Sequence, residues 1–281
     1  MQYRKSKMRL FICSTFSFIL TLLILILYLC LGFSFGVFNN QSVIKNLNKS
    51  NYYSEVYNQL DKDAKELISK AGFPVTVLED VITFERVYVG GRNYVANTLS
   101  GNDADINTMN LREDLTHNID TYLSEQGIRR TDEQNDGIDE LISELEENYV
   151  SSIELEFINY YRDYKVKFIN LIRIMLPILL LIIGGLCLCI FKLNRYKHRS
   201  LRYINYSFIA SSLMVILFAT YLLISKQYAK IDALPDFYNK FITLYLKWDI
   251  MVFLYMGGIG TIISITLITF TYYLRRQVAY G

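Results

Sequence analysis

The 281-residue sequence predicts an all-α membrane protein: four transmembrane helices with a helical-bundle extracellular domain inserted between spans 1 and 2. Three observations carry that expectation. The apolar residues are segregated into four long, charge-free blocks. The basic residues concentrate in short segments on one side of those blocks. The long segment after the first block is acidic and has helical periodicity.

A bilayer core of roughly 30 Å takes about 20 apolar residues in a helix. Leu10 to Phe38 carries no charge, and neither does Ile174 to Phe191, which Phe168 to Ile172 can lengthen. Tyr203 to Ser225 and Ile250 to Leu274 are the third and fourth blocks. In lipid, backbone N–H and C=O groups must be paired within the spanning structure. A barrel would show alternating segments of about ten residues, so these blocks are expected to be helices. The first block has the basic start of a signal peptide. Its apolar run is too long for one and no small-residue cleavage site follows, so it reads as a retained anchor.

Lys and Arg in short loops set orientation. Arg4, Lys5, Lys7 and Arg9 precede the first block. Lys192, Arg195, Lys197, Arg199 and Arg202 follow the second, and Arg275 and Arg276 follow the fourth. All fall on one side of a four-span arrangement. The expected order is a cytoplasmic tail (1–9), span 1 (10–38), an extracellular helical domain (39–166) and span 2 (167–191). A basic cytoplasmic loop (192–202), span 3 (203–225), a short extracellular loop (226–249), span 4 (250–274) and a cytoplasmic tail (275–281) complete it. Localisation would be the plasma membrane, with both termini cytoplasmic. Between Val37 and Lys167 the chain has 13 basic and 24 acidic residues. Long segments translocate regardless of such charge, so the acidic domain is placed outside.

Cys13, Cys30, Cys187 and Cys189 all lie in predicted spans, which leaves the external segment free of disulfides. Cys187–Leu188–Cys189 lacks redox-motif spacing and reads as small packing residues. Within the external segment, Tyr53, Val56, Tyr57, Leu60, Ala64, Leu67, Ile68 and Ala71 form one apolar stripe, ended by Gly72 and Pro74. Val77, Leu78, Val81, Ile82, Tyr88, Val95 and Leu99 form a second, where Gly90–Gly91 either kinks the helix or lets another approach closely. Leu111, Leu115, Ile119, Tyr122 and Leu123 form a third. The fourth runs through Ile138, Leu141, Ile142, Leu145, Tyr149, Ile153, Phe157, Tyr160, Tyr161 and Tyr164. No Pro or Gly interrupts it between Gly137 and Pro177, so a single helix into span 2 is expected, a rigid connection between external domain and membrane. Phe84 to Val89 has the most strand character, but helix is favoured.

Asp132 to Gly137 resembles the start of an EF-hand loop, yet Gln134, Asp139 and Ser143 occupy ligand or apolar positions of that pattern. Asp103, Asp105, Asn107 and Asp114 have ligand spacing, but Thr108 stands where the turn needs Gly. The plainer reading is a helix start at the first site, and at the second a loop in which Asp105 or Asn107 caps the next helix. His117 and His198 are isolated. No phosphate-binding loop, nucleophile elbow or paired intramembrane acid is present. The expectation is therefore no enzyme, with no catalytic, cofactor-binding or metal-binding residues and no cofactor.

Intramembrane polar groups are functional candidates. Arg173 lies inside span 2 and either snorkels to the interface or pairs with a partner's acid. Asp249 is placed at the outer edge of span 4, beside Lys247 and the interfacial anchor Trp248. Gly184–Gly185, Gly257, Gly258 and Gly260 offer close approach between helices, and Ser207, Ser211 and Ala219 offer small surfaces. Intramolecular bundling accounts for them; a homo-oligomer or partner seam is the alternative.

The four-span outline with a large first external loop resembles claudins and tetraspanins in topology alone, because this segment lacks their external Trp and Cys signatures. The chain more closely resembles uncharacterised four-span integral membrane proteins of Gram-positive bacteria. A disulfide-free external segment rich in Asn, Lys, Ile and Tyr agrees with that source. The resemblance implies topology and no residue-level role. The expected function is that of a non-catalytic membrane protein whose extracellular helical domain binds a partner, as sensor, scaffold or accessory subunit. The alternative is a component of a transporter or small oligomeric channel. Expected partners are the bilayer and a membrane or extracellular protein, with no nucleic acid.

Overall fold

A computed structural model describes residues 2–102, 104–128, 131–194, 196–231 and 236–280. Its regular structure is helical. In chain order the helices are α1 (Gln2–Phe35), α2 (Asn40–Lys49), α3 (Tyr52–Lys70), α4 (Phe84–Ser100), α5 (Met109–Glu125), α6 (Asp132–Ile153), α7 (Glu156–Leu193), α8 (Lys197–Ser225) and α9 (Asp236–Tyr280), with 3-10 turns at Val75–Leu78 and Gln227–Ala229. Among the described residues there is no strand, and Phe84 to Val89 opens α4.

Four stretches are long and apolar enough to cross a membrane: Lys7–Phe35, Phe157–Leu193, Lys197–Ser225 and Phe237–Gln277. The chain is thus a multi-pass membrane protein. The helices overrun the charge-free blocks at most ends, because a charge ends the hydrocarbon-soluble stretch without ending the helix. The first is the exception. It stops at Phe35 rather than Phe38, and a turn closes there as Phe38 N–H donates to the Phe33 carbonyl at 2.9 Å.

The chain divides into two compact units. The first comprises Met1–Ser42, Lys165–Asp232 and Ile242–Gly281; the second comprises Val43–Tyr164 and Ala233–Phe241. The start of α9, expected in a short loop, thus belongs to the second unit.

In the first unit α1 and α8 make the closest helix pair. Ser17 Oγ donates to the Tyr203 carbonyl at 2.8 Å, and Ser207 Oγ donates to the Ser17 carbonyl at 2.7 Å. Ser207, Ser211 and Ala219 are buried, as their small size led us to expect. Small side chains let backbones approach, and hydroxyls then find carbonyl partners across the seam. Leu20, Ile24, Tyr28, Ile190, Ile204 and Val215 form the core, joined by Ile183, Leu186 and Cys187 of α7. The four cysteines are free.

In the second unit α6 packs on α3, α4 and α5. Its fully buried side chains include Leu60, Ile68, Leu115, Ile119, Ile142, Leu145 and Ile153. A Cβ on Gly91 would stand 2.7 Å from the Tyr53 ring, so this glycine admits α3 against α4. The second predicted stripe is divided. Val77 and Leu78 lie in the 3-10 turn, and Thr83 caps α4 by accepting from Arg86 N–H. Thr131 and Gln134 form a reciprocal capping box at the start of α6, which satisfies two otherwise orphaned N–H donors.

The fourth stripe is not one helix. It breaks at Glu154–Leu155, where Glu154 is extended (φ −69°, ψ 117°). Ile153 and Leu155 are both buried, whereas Tyr160 and Tyr164 are exposed. In a helix, residues two apart point to nearly opposite sides, while one extended residue lets both enter the core. Tyr94 Oη donates to Glu154 Oε1 and accepts from Asn159 Nδ2, both at 3.3 Å, and so bridges the break. The single helix expected from Ile138 into span 2 is therefore two, α6 and α7, the latter continuing through Pro177.

Candidate functional site

The sequence-predicted polar candidates do not converge. Asp132 to Gly137 forms the first turns of α6. Asp103 lies outside the described residues; downstream, Asn107 Oδ1 accepts from Met109 N–H at 2.9 Å and starts α5. Among the described residues no group of three His, Cys, Asp or Glu side chains is placed to hold a metal ion. Arg173 lies on the exposed side of α7. A Cβ on Gly184, Gly185 or Gly258 would meet nothing within 4 Å, so the expected close approach at those glycines does not occur. Gly257 and Gly260 do provide it, against Ser212, Ile216 and Tyr28.

Two clefts in the second unit bring together residues distant in sequence. One, of about 640 Å³, is lined by Asp80, Glu85, Arg86, Asp105, Asn107 and Tyr149 among others. The other, of about 550 Å³, includes Glu79, Asp80, Arg86, Asp114, Asn118 and Glu125. Asp80 and Arg86 belong to both. Arg86 is placed by Thr83, the cap of its helix. Its Nη1 donates to the Val81 carbonyl at 2.9 Å, and its Nη2 lies 2.6 Å from Asp114 Oδ2. Asn118 Nδ2 donates to the carbonyls of Val77 and Glu79, each at 3.0 Å, which ties α5 to the 3-10 turn.

Asp80 has φ +60°, in the left-handed region that Asn and Asp tolerate better than most residues. This turn presents Glu79 and Asp80 to the clefts. Burial pushes the Tyr149 phenol up, while the Arg86 charge acts against that shift. On the neighbouring face, burial would raise the Glu146 carboxyl. Hydrogen bonds from Arg112 and Thr108, with the Arg112 charge, hold it below the usual glutamate range.

The clefts contain six carboxylates, Glu79, Asp80, Glu85, Asp105, Asp114 and Glu125, and one guanidinium, already paired with Asp114. Such a surface attracts cations and disfavours anions. Sequence reading registered the acidity of the whole segment but not this cluster. Its members come from a turn, two helices and a loop, and no short motif unites them.

The first unit holds a different environment. A cavity of about 590 Å³ is walled by residues of α1, α8 and α9, among them Leu29, Phe33, Phe218, Leu222 and Phe253, with Asp249. Gly32 and Gly36 let the end of α1 approach α9. A Cβ on Gly32 would lie 2.5 Å from Phe253 Cδ1, and one on Gly36 would lie 3.4 Å from Asp249 Oδ1. Tyr245 Oη donates to the Val37 carbonyl, and Trp248 Nε1 donates to Ser42 Oγ at 2.9 Å. Trp248 is therefore tied to Ser42 in the first turn of α2, and Tyr245 to the turn that follows α1. The Gly32–x–x–x–Gly36 spacing is the signal that would have located this junction from sequence.

Asp249, expected at the outer edge of span 4, lies inside a longer helix and is buried. The helix starts thirteen residues earlier, at Asp236, and Asp249 is only 4% exposed. Its two carboxyl oxygens have no hydrogen-bond partner among the described residues. Comparison of the chain with protein-family models, with curated proteins and with solved structures finds no match.

Proposed function

We propose that the protein is a non-catalytic, multi-pass plasma-membrane protein whose second unit is extracellular and binds a partner through a cationic segment. It would act as a sensor, scaffold or accessory subunit. The observation that carries this reading is the pair of adjoining clefts sharing Asp80 and Arg86, with six carboxylates around one committed guanidinium. Charge of one sign in a concave surface steers an oppositely charged partner and raises its encounter rate.

The test uses the full chain in phosphatidylcholine nanodiscs and a fluorescent oligo-arginine peptide. D80N combined with E125Q is expected to weaken binding about tenfold, in the range of two partly desolvated charge pairs. E140Q combined with E147Q removes the same charge from exposed positions on α6 and should change binding little. Equal losses from both pairs would show that only net charge matters and reject the clefts as the site.

The proposed orientation has both termini cytoplasmic and the second unit, most of which lies between spans 1 and 2 in the chain, extracellular. Eleven basic residues in the two tails and the loop between spans 2 and 3 support it. Cysteines at Ser100 and Lys197, both exposed, should differ in intact cells: an impermeant maleimide labels S100C and spares K197C. The reverse pattern would invert the topology.

A further inference from the structure

We infer that the cavity between α1, α8 and α9 is a binding site for a small amphipathic molecule: one protonated amine on an apolar body. Two independent features point to it. The cavity, of about 590 Å³, falls in the size range of small-molecule sites, and its wall is apolar side chains apart from Tyr228 and Asp249. Asp249 is a carboxyl on α9, 96% buried, and neither of its oxygens has a hydrogen-bond partner among the described residues.

A carboxyl withdrawn from water and left without a donor is costly, and it persists where a ligand or partner supplies the donor. Lys165, whose ammonium donates to Asn40 Oδ1 at 2.5 Å, makes no hydrogen bond to Asp249. On α9 itself, Trp248 and Tyr245 donate to Ser42 and to the Val37 carbonyl, and Lys247, two residues away, is exposed and makes no hydrogen bond to Asp249. The cavity's walls on α1 and α8 are apolar, with Leu25, Leu29, Phe33, Met214, Val215 and Phe218 among them. A cationic head would complete the Asp249 carboxylate while an apolar body fills the cavity. An anionic or strongly polar molecule would meet repulsion at one end and hydrocarbon along the rest. Gly36 carries no side chain to fill the space beside Oδ1, where an added Cβ would stand 3.4 Å away.

Trp248 is the chain's single tryptophan and neighbours Asp249, so its fluorescence reports on the site. The full chain in zwitterionic phosphatidylcholine nanodiscs at neutral pH is titrated with dodecylamine, and separately with dodecanol, at matched mole fractions in the bilayer. Dodecylamine is expected to give a saturable change, and dodecanol to need about tenfold more for the same change, since a charge-assisted hydrogen bond separates them. Asp249→Asn keeps the side-chain shape and should abolish that preference. Equal saturable responses in the wild-type chain would reduce the site to an apolar groove that accepts any acyl chain, and would overturn the inference. So would the absence of saturation with either probe, as when another helix covers the groove. A preference for amine that survives Asp249→Asn would place the anionic group elsewhere. The comparison of the two probes in the wild-type chain decides the matter even if the variant fails to fold.

Discussion

Gly257→Leu and Gly260→Leu are each expected to destabilise the full chain strongly, whereas Gly258→Leu in the same helix should leave it near the wild type. A Cβ on Gly257 would lie 2.5 Å from Ile216 Cγ1 and 3.2 Å from the Ser212 carbonyl, whose backbone cannot rotate away. A Cβ on Gly260 would overlap Tyr28 Oη and Ser212 Oγ, two hydroxyls that lie 3.4 Å apart. One on Gly258 meets nothing within 4 Å. Overpacking of this kind costs about 1–3 kcal/mol, and each kcal/mol lowers Tm by about 2–4 °C in a chain of this size class. Thermal unfolding of the detergent-solubilised protein, followed through Trp248, measures the three variants side by side. If Gly258→Leu proves as damaging as Gly257→Leu, the face that α9 turns to α8 is wrongly assigned.

A comparable loss is expected from Leu155→Ala, and almost none from Tyr160→Ala. Leu155 is fully buried just after the break at Glu154, while Tyr160 is 67% exposed. Removing a buried leucine side chain costs about 2–5 kcal/mol, depending on how far the surroundings collapse into the space. An exposed substitution away from any cap or network stays within about 0.5 kcal/mol. A single unbroken helix predicts the opposite order, because its apolar stripe includes Tyr160 and omits Leu155. Chemical denaturation of the two full-length variants separates the arrangements. A larger loss from Tyr160→Ala would restore the continuous helix.

The two proposed sites have different signatures. Binding at the acidic clefts of the second unit depends on exposed charge, so salt should weaken it steeply. Binding at the Asp249 cavity takes place where screening is weak, so it should respond to head-group chemistry more than to ionic strength.

What the sequence alone determined was set by solvent and by local periodicity. Four charge-free blocks announced four spans because lipid tolerates neither unpaired backbone nor scattered charge. The stripes through Leu60, Leu115 and Leu145 announced helices because one face had to be apolar to be buried. Ser207, Ser211 and Ala219 were legible as packing surfaces because small side chains allow backbones to approach whichever helix lies opposite. The tertiary structure decided the rest. No breaker residue marks Glu154–Leu155; the helix yields there because Ile153 and Leu155 both gain burial and Tyr94, about sixty positions away, bridges the gap. Gly184 and Gly257 look alike in sequence, yet only Gly257 faces another helix. The burial of Asp249 was not legible, because the apolar block stops beside it. Only the continuation of α9 back to Asp236 and the approach of Gly36 turn it into a buried carboxyl, and only the meeting of Asp80, Arg86 and Asp114 creates the clefts. Each of these rests on which face meets which neighbour, and contacts between distant segments leave no local pattern in the chain.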